Sequence, residues 1–150
     1  MNALIFNSRK DIFSNPRVRY ALSFAYDHEW INKVLYNNAY VRTDSYFDNS
    51  PLASTGLPSE KELQLLESFK DQLPAEIFTA TYAPPKTDGG GNPRDNLRIA
   101  KKILEEEGWF VSDGKLMKDG KHFEFEFLIV SPSVETDSYT HLTLPTILLV

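Results

Sequence analysis

N-P-R-V-R-Y-A-L-S-F-A-Y-D, Asn15 to Asp27, holds a helix start, an apolar face and a second helix start in one short run. The Asn15 side chain can accept a free N–H of the first turn. Pro16 suits the first helical position because its missing N–H would have no intrahelical partner there. Val18, Ala21, Leu22 and Ala25 then recur at helical spacing, which predicts a helix docked by that face. Asp27 reads as the cap of a second helix running to about Tyr36, with Glu29 in its first turn and Trp30, Ile31, Val34 and Leu35 as its apolar face. Arg17 and Arg19 sit at the end of a helix where its dipole disfavours cations, so carboxylates are expected beside them, with Asp11 and Asp27 as candidates. Their two-residue spacing sends the side chains to different faces, which favours structural ion pairs over a ligand clamp.

Working outward, Ala3 to Phe6 reads as a short buried strand ending at Asn7. Residues 37–58 are irregular and rich in Tyr, Asn, Ser, Thr and Asp, the pattern of a long ordered loop. Ser59 and Glu62 form a capping box for a helix that ends before Pro74, with Leu63, Leu65, Leu66 and Phe69 as its apolar stripe. After another irregular stretch, a helix is expected from about Arg94 to Glu107, with Leu97, Ala100, Ile103 and Leu104 on one face. Gly108 takes the left-handed position past its end. Asp119-Gly120 marks a hairpin turn before the alternation Phe123-Glu124-Phe125-Glu126-Phe127. The fold class is α/β, with helices packed on a small mixed sheet. There is no internal repeat.

The 150 residues are 41% hydrophobic and 25% charged, the profile of one globular domain. A net charge of -5 argues against nucleic acid as a partner, since such binding needs a concentrated basic face. The absence of cysteine removes disulfides, thiolate zinc sites and cysteine nucleophiles without fixing the compartment. The first ten residues lack the features of a signal peptide.

No catalytic constellation emerges. His28, His122 and His141 show no metal-ligand spacing, so no metal is expected. Gly89-Gly90-Gly91-Asn92-Pro93 precedes a helix but lacks the G-K-[ST] ending of a phosphate loop, and a plain turn is the favoured reading. Glu105, Glu106 and Glu107 point in different directions on a helix and read as a solvated face rather than general acids. Neither G-x-S-x-G nor S-x-x-K is present. The candidate binding residues are Tyr40, Arg42, Thr43, Ser45 and Tyr46, because Tyr, Arg, Thr and Ser can read peptide amides and carboxylates while aromatic rings cover apolar groups. A loop packed down by its own aromatics is the competing reading.

Three segments in consistent order, N-P-R-V-R-Y-A-L-S-F-A-Y-D-H-E-W-I-N-K, A-Y-V-R-T-D-S-Y-F-D-N-S-P-L-A-S-T-G-L-P-S and T-D-G-G-G-N-P-R-D-N-L-R-I-A-K-K-I-L-E-E-E-G-W, resemble the extracellular solute-binding proteins of family 5. R-T-D-S-Y-F resembles the branch associated with microcin C and other modified peptides. The resemblance covers about Asn2 to Pro132. It implies a periplasmic receptor, several times longer than this chain, whose two lobes close over a peptide or peptide-like solute before docking on an ABC permease. It further implies a monomer without cofactor or enzymatic activity, with residues 1–136 forming part of the C-terminal lobe of a type II periplasmic-binding fold. The signal peptide and N-terminal lobe are expected outside this sequence.

Residues 137–150, D-S-Y-T-H-L-T-L-P-T-I-L-L-V, have a single charge. From Ser138 to Thr146 they resemble the conceptual translation of a transposon-end adapter used in sequencing libraries, and are expected to be non-native read-through. A genuine final strand with Pro145 at an edge is the competing reading. Two other functional classes stay in view: a protein interaction module using the aromatic loop, and a peptide hydrolase suggested by the acidic residues alone.

Overall fold

The computed structural model describes residues 4–126 and 128. They fall into two compact units: 41–84, and the segments on either side of it in sequence, 4–40 with 85 onward.

The larger unit begins with a short helix, α1 (Asp11–Ser14), which the sequence reading passed over. It leads into α2 (Pro16–Phe24), where Asn15 Oδ1 accepts from the Arg17 N–H at 2.8 Å and Pro16 takes the first position. Asp27 caps α3 (His28–Leu35) by accepting from the Trp30 N–H at 3.0 Å. The expected apolar face of α3 is only partly used, because Ile31 is buried whereas Val34 and Leu35 are exposed. The later helix, α6 (Arg94–Glu106), ends on Gly108 with φ +85°, as expected. The Trp109 N–H donates to the Leu104 carbonyl at 2.9 Å and closes that end.

Helices α2 and α6 pack through the stripes read from the sequence. Val18, Ala21 and Ala25 meet Leu97 and Leu104 in one core with Trp109 and Leu116, while Leu22 and Ile103 pack at its margin. Full burial of side chains such as Leu97 and Leu104 stabilises by about 1.5–3 kcal/mol each relative to exposure.

Three strands follow, β1 (Phe110–Ser112), β2 (Lys115–Lys118) and β3 (Lys121–His122), in the order β1-β2-β3. Met117 pairs with Phe110 on one side and His122 on the other, both antiparallel. The sheet is therefore antiparallel rather than mixed among the described residues. Two-residue turns can join only antiparallel neighbours. Asp113-Gly114 and Asp119-Gly120 both have positive φ at each position, as tight hairpins require.

The strand expected at Phe123 to Phe127 is shorter than its alternation suggests. β3 stops at His122, although Phe123 and Phe125 still turn inward and Glu124 and Glu126 outward. Phe123 meets Trp109 edge-on at 4.8 Å, and Phe125 meets Phe13 at 5.0 Å. The rings pack on that surface, and the Phe123 N–H still donates to the Leu116 carbonyl of β2 at 2.8 Å. Phe127 lies outside the described residues, as do Ala3 and residues 137–150. Leu4 to Phe6 form no strand: Ile5 is exposed and Phe6 rests on Phe13 at 5.0 Å.

In the smaller unit, the loop through Pro58 contains neither helix nor strand. It leads into α4 (Glu60–Leu66), whose Ser59–Glu62 capping box is formed, then a 3₁₀ turn (Glu67–Gln72) and a short α5 (Glu76–Thr79). Pro84 is the only buried residue of this unit. No described helix is long and apolar enough to cross a membrane.

Candidate functional site

The five candidate residues fall in both units. Tyr40 closes the first segment of the larger one. Asn32, on α3, grips its backbone from both sides: the Tyr40 N–H donates to Asn32 Oδ1 at 3.1 Å, and Asn32 Nδ2 donates to the Tyr40 carbonyl at 2.6 Å. An amide side chain thus replaces a strand neighbour. The Tyr40 ring stands edge-on to Tyr36 at 4.9 Å and is half exposed.

Arg42, Thr43, Ser45 and Tyr46 belong to the smaller unit. Arg42, Thr43 and Ser45 are half-buried, whereas Tyr46 is 81% exposed beside Phe47. Ser45 Oγ accepts from the Ser54 N–H at 2.9 Å, closing the loop across nine residues. None of the five is in a core. The loop is ordered by its own hydrogen bonds, while its tyrosine rings stay open to solvent.

The same unit contains a concavity of about 550 Å³ between the 53–59 segment, α4 and α5. Its wall is apolar at Leu57, Leu65, Leu66 and Ile77, and polar at Ser54 and Glu62. Leu65 and Leu66 are part of the apolar stripe expected from the sequence, but none of the five candidate binding residues lines this surface. Ser45 reaches it only through the bond to Ser54. At its edge, Glu62 Oε2 accepts from both the hydroxyl and the N–H of Ser59 at 2.7 Å. The hydroxyl first and the amide second hold the Glu62 carboxyl below its ordinary range.

In the larger unit, a polar cluster joins the start of α3 to the Gly-rich turn. Thr87 Oγ1 donates to Asp27 Oδ1 at 2.5 Å, and the Thr87 N–H donates to Glu29 Oε2 at 3.1 Å. The Gly89 N–H donates back to Thr87 Oγ1 at 3.1 Å. Gly91, at φ +74°, lies so close to Trp30 that a Cβ there would meet its Nε1 at 2.5 Å. The glycines therefore serve a close packing turn, as the plain-turn reading expected.

The two arginines are compensated, but not by Asp11 or Asp27. Arg17 pairs with Glu106 and, through Nε at 2.6 Å, with Glu107. Arg19 Nη1 donates to the carbonyls of Phe13 and Ser14 at 2.5 and 3.0 Å. Sequence distance misleads here, because helix packing brings the end of α6 to the start of α2. It also corrects the reading of the glutamates as a purely solvated face: Glu106 and Glu107 are ion-pair partners, and Glu107 accepts from Asn15 Nδ2 as well. Among the described residues, no group of three or more His, Cys, Asp or Glu side chains is placed to hold a metal ion.

With this geometry in place, residues 1–142 match the family described as bacterial extracellular solute-binding proteins, family 5 Middle. The chain is 42% identical over 132 residues to YejA of Escherichia coli (strain K12), an alignment covering 87% of this chain and 22% of that protein. It is 39% identical over 137 residues to "Probable peptide-binding protein YejA" and, again at 39% over 137 residues, to "Peptidoglycan-binding protein YepA", both of Agrobacterium fabrum (strain C58 / ATCC 33970). Each of these two alignments covers 90% of this chain and 22% of the relative. The chain thus spans about a fifth of the length of the curated relatives it matches.

Proposed function

Because the chain belongs to the bacterial extracellular solute-binding proteins of family 5, we propose that its full-length protein is the substrate-binding component of an ABC-type importer. The solute is a peptide or modified peptide, of the kind taken by the microcin C-type branch. The family match over residues 1–142 carries this reading. The names of two relatives, one peptide-binding and one peptidoglycan-binding, support the ligand class, since both ligands present peptide groups. Residues 1–136 are assigned to part of the C-terminal lobe and 137–150 to a non-native tail, although the family match runs on to residue 142. The protein works as a periplasmic monomer: solute stabilises the closed arrangement of two lobes, which then docks on an inner-membrane permease. No bond is made or broken.

Tyr40, Arg42, Thr43, Ser45 and Tyr46 are assigned to the cleft side. The exposed rings of Tyr40 and Tyr46 support this, since such rings can cover a solute's apolar groups while Arg42 pairs with its carboxylate. Calorimetric titration of the full-length gene product with short peptides, including a peptidoglycan-derived one, tests the function. Saturable binding is expected, with Arg42→Ala and Tyr46→Ala each weakening it about tenfold. Unchanged affinity in both variants would remove the residue assignment. Absence of saturable binding to every peptide would overturn the receptor reading, and cleavage of the peptides would favour a hydrolase.

A further inference from the structure

Helix α3 ends without needing the side chain of Asn32. The Asn32 carbonyl accepts from the Tyr36 N–H at 3.2 Å and from the Asn38 N–H at 2.8 Å, and the Tyr36 carbonyl accepts from the Ala39 N–H at 2.9 Å. Asn37 and Asn38 turn the chain at φ +49° and +59°, a left-handed region that asparagine tolerates better than most residues. All of these bonds are main-chain and would form with alanine at position 32. The Asn32 amide reaches further, to Tyr40, and holds that residue's N–H and carbonyl at once. One carbonyl oxygen and one NH2 group match one backbone donor and one backbone acceptor, so a single side chain fixes both the place and the tilt of the backbone there. The half-exposed Tyr40 ring, edge-on to Tyr36, is carried by that backbone.

We infer that Asn32 is a positioning residue for solute binding: its two bonds to the Tyr40 backbone hold the Tyr40 ring ready to cover an apolar group of the peptide solute. The inference rests on the assignment of Tyr40 to the cleft side. Asn32 itself touches no solute. It acts before the solute arrives, by removing the ordering cost that a loose loop end would add to binding. Tyr36 limits the ring from one side while Asn32 limits the backbone, which is the support a preorganised contact needs. Tyr40→Ala removes the ring but keeps both backbone bonds, so the two contributions are separable.

Calorimetric titration of the full-length gene product with short peptides, one of them peptidoglycan-derived, tests this in four forms: unaltered, Asn32→Ala, Tyr40→Ala and the double variant. Saturable binding is expected in the unaltered protein, weakened about tenfold by either single substitution. The double variant should bind no more weakly than Tyr40→Ala, because without the ring Asn32 has nothing to place. A separate further loss from Asn32→Ala in the Tyr40→Ala background, or full affinity in Asn32→Ala, would overturn the positioning role while leaving Tyr40 in the site. Unchanged affinity in Tyr40→Ala would remove that ring from the site and the inference with it. Failure of the unaltered protein to bind every peptide would sink the receptor reading and the inference together. Should Asn32→Ala not fold, Asn32→Asp takes its place in the cycle under the same outcomes: it keeps an acceptor for the Tyr40 N–H but sets a carboxylate oxygen against the Tyr40 carbonyl.

Discussion

Arg17 Nε lies 2.6 Å from Glu107 Oε1, joining the start of α2 to the residue that ends α6. Each charge alone sits at the wrong pole of its helix, a cation at an N-terminus and an anion at a C-terminus. Together they cancel two local penalties. Glu107 is the better covered partner, 19% exposed against 54% for Arg17, and it also accepts from Asn15. Arg17→Ala is expected to lower stability by about 0.5–1 kcal/mol, given its exposure. Urea denaturation of Arg17→Ala, Glu107→Ala and the double variant measures the coupling. Strict additivity would show that the pair contributes nothing.

Gly91 separates backbone strain from steric conflict. Its φ of +74° matches the +73° of Gly114, but a Cβ at Gly91 would strike Trp30 whereas one at Gly114 meets open space. Gly114→Ala should cost about 1–2 kcal/mol from left-handed backbone alone. Gly91→Ala should cost more, and should shift the emission of a tryptophan that the Gly114 variant leaves unchanged. Equal thermal shifts and unaltered fluorescence in both variants would mean that Trp30 moves aside freely.

Thr87 holds the Gly-rich turn to the α2–α3 corner. Thr87→Val keeps the shape but removes the hydroxyl from Asp27, whose other oxygen, Oδ2, is buried without a partner. A loss of about 1–3 kcal/mol is expected, because the buried Gly89 N–H loses its acceptor while Asp27 Oδ1 keeps only the Trp30 N–H. Thr87→Ser should recover most of it in the same thermal unfolding experiment. A Ser variant as unstable as the Val variant would assign the effect to the methyl group instead.

Glu62 should make the start of α4 sensitive to acid. Its carboxyl is held below the ordinary 4.5 by the two Ser59 donors, so the ionised form is favoured in the folded state. The stabilisation is fully present above 4.5 and fades as pH falls through the lowered value. A carbon-13 titration of the Glu62 carboxyl follows this directly, and Ser59→Ala should raise its midpoint toward 4.5. A midpoint already at 4.5 in the unaltered protein would refute the capping box in solution.

Local chemistry made much of the larger unit legible. Asn15, Pro16 and Asp27 set helix starts, Gly108 set a stop, and the stripes of α2 and α6 named their own contact faces. Asp113-Gly114 carried the same turn signal as Asp119-Gly120 and announces the first hairpin, which the sequence reading overlooked. The partners of Arg17 were not legible, because they lie about ninety residues away and meet it only when α2 packs on α6. The candidate loop was recognisable from composition, yet its bracing by Asn32 and Ser54 came from the fold.

The sequence by itself determined where helices begin, which faces are apolar and which family the chain resembles. Caps, turns and periodicity act over a few residues and need no distant partner. Only the tertiary structure decided which charges pair, how closely the Gly-rich turn approaches Trp30, and which apolar faces stay uncovered. Those depend on surfaces brought together across the chain, and in 41–84 Leu65 and Phe69 stay more than half exposed.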